Sequence, residues 1–330
     1  MSIIESFGKP VMSMVDLADV LEVAALPGSR SLLVRRGQPR QPKSTSVSLL
    51  DVDTRELTEM NVEGDAGHFA CVWGVSPETA LAAQADTGFE LAIRKPKVRI
   101  KRRIQLGEAE ADSHVTVRAD RTGEVVVALT AGWLCSSSTG STNLVEPADG
   151  KSFFRVAVSS DGRFVANGRS DGLLEVRDSK SLSVVRSFKA LESPVLALAF
   201  SPDGRYLAAA DDSVECALVD LESGASRSIY AFSKVLDFAW LSDSKGFVAV
   251  GISRAFAAFA VDELDDPKLE IRREDMGDRY FMGGALVEDN VLAIVVEDRG
   301  ILLASLTGAS EQSSTRGGRQ GAKETRRRRR

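Results

Sequence analysis

The sequence predicts an all-β fold, a ring of seven four-stranded blades around a central channel, and three observations predict it. Two stretches repeat each other: Phe154–Asp178, FRVAVSSDGRFVANGRSDGLLEVRD, and Val195–Asp220, VLALAFSPDGRYLAAADDSVECALVD. Turn signals recur at Gly28, Pro77, Asp120, Asp161, Asp203, Asp243 and Asp289, spaced 49, 43, 41, 42, 40 and 46 residues apart. Four strands with short turns need about 40–45 residues, the period of a propeller blade. Between the turns, apolar residues alternate or run in short Val, Ile, Leu and Ala blocks bounded by Gly, Asp and Ser, which is strand patterning and not helical spacing.

The first blade begins in VAALPGSRSLLVRRG around Gly28, the second turns at Pro77 in CVWGVSPETALAAQ, and the third at Asp120 in VTVRADRTGEVVVAL. In the fourth and fifth, Asp161-Gly162 and Asp203-Gly204 supply the positive φ of a tight hairpin turn. VLDFAWLSDSKGFVAVG turns at Asp243, and GALVEDNVLAIVVEDRGILLASL turns at Asp289. The last strand, Gly300–Leu306, is a third strand with no fourth after it. An unpaired end would leave a pairing edge open, and Pro10–Val15, which precedes the first blade, can supply the missing outer strand. Residues 1–309 are therefore expected to form one propeller domain with the N-terminal strand closing the ring. Val156, Val158, Leu196, Leu198, Phe238 and Trp240 are expected in its buried strands, where each contributes roughly 1.5–3 kcal/mol.

Length and composition bound the function. With 330 residues and 43% hydrophobic content the chain can bury a sizeable core. No segment has the long uncharged apolar run of a membrane helix, and residues 1–25 lack the basic start and apolar stretch of a signal peptide. Cys71, Cys135 and Cys216 are an odd, scattered set that suits a reducing, cytoplasmic compartment. The formal net charge is −5, but residues 310–330 hold eight basic residues and two acids, leaving 34 basic against 45 acidic elsewhere, a net of −11. So acidic a body disfavours nucleic acid as a partner. The tail 310–330, rich in Ser, Gly, Gln and Arg, is expected to be disordered and able to meet an anionic membrane surface.

The residues argue against catalysis. His68 and His114 fall in separate blades with no motif around either, and no Cys-x-x-Cys, His-x-x-His or Asp-rich calcium loop is present. Neither a G-x-G-x-x-G nor a G-x-x-x-x-G-K phosphate loop occurs. Carboxylates are plentiful, but nothing pairs two of them for acid–base work. The expectation is a non-enzymatic binding protein with no cofactor and no metal.

Two segments are candidates for contact. Arg94, Lys95, Lys97, Arg99, Lys101, Arg102 and Arg103 place seven cations in ten residues. They read either as a solvated loop or outer strand, or as a phosphate contact to lipid or to an acidic protein, with Lys95, Lys97, Arg99, Lys101, Arg102 and Arg103 carrying it. The first-blade connection Val34–Asp53, VRRGQPRQPKSTSVSLLDVD, reads as an extended loop of the kind where partners dock, or as a tolerated insertion.

The repeat chemistry is that of WD repeats. Asp171 and Asp212 precede third strands, where such repeats place a turn aspartate. The usual Trp-Asp ending is degraded to Arg177-Asp178 and Val219-Asp220, and Leu191 stands where a histidine usually faces it. Without that histidine the buried polar network of an orthodox repeat is not expected in this blade. Within this pattern, Asp171-Gly172, Leu173, Val176, Ser181-Leu182, Phe188-Lys189-Ala190, Glu192 and Ser201-Pro202-Asp203-Gly204 resemble the endoplasmic-reticulum exchange-factor family of the COPII pathway, the prolactin-regulatory-element-binding protein family.

A second match lies in the first blade, where Arg36-Gly37 and Gln41-Pro42-Lys43 precede Val47, Leu49 and Leu50 at spacing similar to the family's glycine-rich loop. The resemblance implies a guanine nucleotide exchange factor for a small GTPase of ER-to-Golgi vesicle formation, at the cytosolic face of the endoplasmic reticulum. It implies GTPase contact through Arg36, Gln38, Gln41, Pro42 and Lys43, and a potassium ion in the loop. Lys43 stands where the family has Asn, and most of the glycines are missing. The family carries a membrane helix after the propeller, and Arg326–Arg330 is the polybasic flank such a helix shows. The alternative is a generic WD-repeat scaffold subunit of a multiprotein complex.

Overall fold

The protein is described from a computed structural model, which covers residues 2–38, 41–63, 69–84, 87–106, 115–130, 133–138, 141–146, 151–231 and 233–307. His68, His114 and the tail 310–330 lie outside the described residues. Among those described, the strands form seven antiparallel-built sheets arranged as a β-propeller, as the turn spacing predicts.

A first strand, β1 (Phe7–Asp16), precedes the blades. Blade one is β2 (Val20–Ala25), β3 (Ser31–Gln38), β4 (Gln41–Asp51) and β5 (Leu57–Glu59). Blade two gains a fifth strand: β6 (Asn61–Glu63) lies parallel to the outer strand of β7 (Cys71–Ser76), β8 (Thr79–Gln84), β9 (Thr87–Arg94) and β10 (Lys97–Gln105). Blade three is β11 (Val115–Ala119), β12 (Val126–Thr130), β13 (Trp133–Ser138) and β14 (Ser141–Val145). Blade four is β15 (Phe153–Val158), β16 (Phe164–Arg169), β17 (Leu173–Asp178) and β18 (Val184–Lys189). Blade five is β19 (Ala197–Phe200), β20 (Tyr206–Ala210), β21 (Glu215–Asp220) and β22 (Ser226–Tyr230). Blade six is β23 (Val235–Trp240), β24 (Gly246–Gly251), β25 (Ala255–Ala260) and β26 (Leu269–Arg272). Blade seven is β27 (Phe281–Val287), β28 (Val291–Val296) and β29 (Gly300–Thr307), completed by β1.

The repeated turns have one construction. In blade four Ser159 Oγ donates to Asp161 Oδ1 at 2.6 Å, the Arg163 amide donates to the same oxygen at 3.0 Å, and the Phe164 amide donates to Ser159 Oγ at 2.9 Å. Ser201, Asp203, Arg205 and Tyr206 repeat these bonds in blade five at 2.6, 3.0 and 2.9 Å. The aspartate that ends the third strand caps the next turn. Asp178 accepts from the Lys180 and Ser181 amides, and Asp220 from those of Glu222 and Ser223. Asp51 does the same for Asp53 and Thr54.

These caps have a pH consequence. Hydrogen bonds led by the amides of Ser181, Ser223 and Thr54 hold Asp178, Asp220 and Asp51 below the ordinary carboxylate pKa. A folded value below the unfolded one adds stability that is complete above the unfolded aspartate value of about 3.9 and is lost as the pH falls from there through the lower folded value. Urea midpoints are therefore expected to fall steeply below about pH 4, and less steeply in an Asp178→Asn/Asp220→Asn variant. Equal slopes in both proteins would remove the caps as the cause.

Two expectations are corrected. Asp211, not Asp212, is the turn aspartate of blade five: Asp211 is buried and accepts from the Ser213 amide at 2.8 Å and the Ser193 amide at 3.3 Å. Asp212 is exposed and pairs with Lys234. Among the residues expected in the core, only Val156 is fully buried. Val158, Leu198, Phe238 and Trp240 are half-buried because they sit on inner strands bordering the channel, and Leu196, just ahead of β19, is half-buried as well. A charge at Leu198 would therefore meet channel solvent instead of a sealed core.

Blade four holds a buried polar network of a composition other than the orthodox histidine-based one. Leu191 is buried among apolar neighbours, while the opposite face of β16 and β17 carries Asn167, Arg169, Glu175 and Arg177. Glu175 takes Arg177 Nη2 at 2.6 Å, Asn167 Nδ2 at 3.0 Å and Arg169 Nη1 at 3.4 Å. Arg177 also donates to Asn167 Oδ1 and to the Leu182 carbonyl, and Arg169 reaches Asp171. Every charge there has a partner.

The ring closes through β1, antiparallel to β29 with Val11 opposite Ser305 and Asp16 opposite Gly300. Gly300 has φ of +128°, and a Cβ there would lie 2.2 Å from the Val15 carbonyl oxygen, so the strands meet only over a glycine. Ile4, ahead of β1, is buried against blades six and seven, and its neighbour Ile3 donates its amide to Asp243.

Candidate functional site

The first-blade segment is a hairpin and not the loop expected. β3 and β4 pair from Ser31 and Asp51 up to Gln38 and Gln41. Near its tip, residues 42–45 stand opposite the single Gly37, between the pairs Arg36–Ser46 and Gln38–Gln41. Gly37, Pro39 and Pro42 in a polar run read as a loop, yet a bulge tolerates a proline that a regular ladder would reject. Bulges re-aim side chains. Arg36 is tied back to its blade, donating through Nε to the Ala18 carbonyl and lying 3.7 Å from Glu59. Gln38, Gln41, Pro42 and Lys43 are described by their backbone alone.

The hairpin tip lies on the face where the inner strands begin, since Val20 of β2 pairs with Arg36. This upper face also bears Phe154 at the start of β15 and Tyr280 and Met282 at the start of β27, 37%, 51% and 55% exposed.

The basic stretch is the turn and outer strand of blade two. Lys97 and Arg99 both pair with Glu63, and Lys101 and Arg102 both pair with Glu90. Arg103 lies 5.5 Å over the Phe89 ring, and Arg94 and Lys95 are exposed at the turn. Two carboxylates thus offset part of the charge, and a sequence window cannot show this because Glu63 arrives on β6 from before the blade.

Sequence reading did not single out the central channel. Its larger chamber, about 730 Å³, is bordered by Glu22, Arg35, Trp73, Arg118, Arg155, Asp237, Phe238, Trp240 and the bare backbone of Gly283 and Gly284, among others. A second chamber of about 640 Å³ adjoins it and shares Trp73, Arg118 and Phe200. Glu22 is occupied, taking Arg35 Nε and the Val72 amide, each at 3.1 Å. Arg118 sits 4.4 Å over the Trp73 ring. Burial pushes the Asp237 carboxyl up from its ordinary value against the pull of Arg118, the Gly284 amide and Arg155. Burial likewise pushes the Arg155 guanidinium down. The three cysteines are core residues: burial raises the thiols of Cys71 and Cys216 to about 12 and that of Cys135 to about 11, so none is a nucleophile at neutral pH.

Comparison with known proteins bears on the fold. Residues 182–214, which run from the outer strand of blade four into blade five, match the family described as WD domain, G-beta repeat. WD repeat-containing protein 1 of Rattus norvegicus is 30% identical over 125 residues, covering 36% of this chain and 20% of that protein. WD repeat-containing protein SL1-17 of Schistosoma mansoni is 36% identical over 76 residues, 23% of this chain and 25% of that one. THO complex subunit 3 of Arabidopsis thaliana is 29% identical over 69 residues, 21% of this chain and 22% of its own. The chain thus spans a quarter or less of the curated relatives it matches. A chain of the solved structure titled "Crystal Structure of Mitotic Checkpoint Complex" superposes with a TM-score of 0.71 at 15% identity, over 92% of this chain and 93% of that chain. The ring is a seven-bladed β-propeller, with a WD-type repeat recognisable at residues 182–214.

Proposed function

We propose that this propeller is a protein-docking platform that engages its partner through the upper face. The observation that carries the reading is that Phe154 of blade four and Tyr280 and Met282 at blade seven, exposed apolar side chains, lie on the same face as the bulged β3–β4 hairpin. Aromatic and Met side chains in the open, rimmed by polar groups, mark protein contact sites. Affinity capture with the intact chain and with a Phe154→Asp/Met282→Asp variant tests it. The partner is expected to be lost from the variant while the melting temperature holds; undiminished capture would place docking elsewhere.

Within that reading the finer function is exchange-factor activity on a small GTPase of ER-to-Golgi transport. Its support is the residue resemblance in blades one, four and five, together with a backbone bulge near the hairpin tip beside Gln41. An exchange factor needs no covalent chemistry; it binds the nucleotide-free GTPase more tightly than the loaded form. Changing Gln41-Pro42-Lys43 to Ala-Gly-Ala is expected to slow GTPase nucleotide release at least tenfold, about 1.4 kcal/mol, with the fold intact. If the unmodified protein accelerates release from no small GTPase of the secretory pathway, the exchange reading falls and the platform reading stands.

A further inference from the structure

Arg118 and Arg155 enter the channel from adjacent inner strands, β11 and β15, and are half-buried. Among the described residues each donates one of its five N–H groups, to the carbonyl of its own preceding residue: Arg118 to Val117 at 2.8 Å, Arg155 to Phe154 at 2.9 Å. Neither makes an ion pair among the described residues, although buried guanidiniums are ordinarily paired. The carboxylates that face them do not change this. Glu22 is taken by Arg35 and the Val72 amide, and Asp237 accepts the Gly284 amide at 3.2 Å. With Glu22 and Arg35 cancelling, Arg118, Arg155 and Asp237 leave the chamber net positive in a protein whose body is acidic.

The space beside them is real. Gly283 and Gly284 put backbone where side chains would otherwise intrude, and a Cβ at Gly283 would come within 3.0 Å of the Asp237 carboxylate. Arg118 is held against Trp73 at the junction of the two chambers, which orients its guanidinium before any ligand arrives. Planar guanidinium forks match the oxygens of phosphate and carboxylate groups.

We propose that the channel binds an oxyanion, a phosphate or carboxylate group, with Arg118 and Arg155 as its ligands. The group can come from a free ion or from a side chain of a docked protein, and the inference does not depend on the partner named above.

Trp73 lies beneath Arg118, so tryptophan fluorescence reads the site. The intact protein is titrated with inorganic phosphate, and separately with N-acetyl-phosphoserine amide, at constant ionic strength set with chloride. A saturable fluorescence change and a rise in melting temperature are expected, weakened about tenfold or more in Arg118→Gln and in Arg155→Gln and lost in the double variant. Tighter binding of the phosphoserine amide than of phosphate would assign the group to a partner chain, and the reverse to a free ion. Removing an unpaired buried charge costs little stability, so the double variant is expected to melt at or above the unmodified protein without ligand. Absence of saturation with both probes, or an equal response in the double variant, would overturn the proposal.

Discussion

Replacing Glu175 with alanine is expected to destabilise the protein by about 3–5 kcal/mol, the cost of leaving buried charges without their partner. Glu175 receives Arg177, Asn167 and Arg169 together, and both arginine side chains are more than nine-tenths buried, at 9% and 8% exposed. Without it Arg177 keeps only the Asn167 oxygen and the Leu182 carbonyl, and Arg169 keeps Asp171. The arginine of the pair that loses more is thus Arg177, whose guanidinium also lies 5.5 Å over the Phe153 ring at the boundary with blade three. Urea unfolding checks the size of the effect. A glutamine at 175 retains two acceptor-side contacts and is expected to lose less than alanine. A combined Arg169→Met/Glu175→Leu/Arg177→Met protein, by contrast, is expected to recover most of the loss, because apolar residues can replace a buried ion cluster as a unit. An alanine variant within 1 kcal/mol of the parent, in the ordinary range of surface changes, would show that the cluster is hydrated in solution.

Removing residues 2–16 is expected to abolish a stable monomer. The deletion takes away the outer strand of blade seven and uncovers the length of β29 from Gly300 to Thr307. It also removes Ile4, buried against Leu241, Val248 and Phe256, together with Phe7, Met12 and Met14 packed on the same cluster. At roughly 1.5–3 kcal/mol for each fully buried apolar side chain, the loss is on the order of 5 kcal/mol or more, comparable with the whole net stability of about 5–15 kcal/mol. An uncovered β29, whose sequence ILLASL is apolar, is then a template for association. Size-exclusion chromatography should give aggregates, and a synthetic peptide of residues 2–17 added during refolding should restore monomer. A truncated protein that stays monomeric and melts within a few degrees of the intact chain would contradict the closure argument.

Much of the blade structure was legible because it is local. An Asp-Gly turn between two alternating strands specifies a hairpin from within a dozen residues, and Asp161 and Asp203 carry the same bonds in both blades. The first-blade hairpin was missed because its signal is ambiguous: prolines and glycine mark loops and bulges alike, and the pairing of Gln38 with Gln41 decides between them. The turn aspartate of blade five was misplaced by one residue because Asp211 and Asp212 are adjacent and equivalent in sequence. Burial and the approach of the Ser213 and Ser193 amides distinguish them.

The sequence by itself determined the strand order, the repeat length and hence the seven-bladed ring, since each blade is built from neighbours in the chain and the period sets how many fit. Tertiary structure alone decided which polar groups meet. Glu63 pairs with Lys97 and Arg99 from 34 and 36 residues away, Glu175 gathers two arginines on one face of a blade, and Arg118 and Arg155 converge on a channel that exists only once seven inner strands stand in a circle. Electrostatic partnership depends on distances of a few ångströms between separate strands. No periodicity along the chain encodes those distances, whereas burial of an alternating apolar face leaves its mark in every strand.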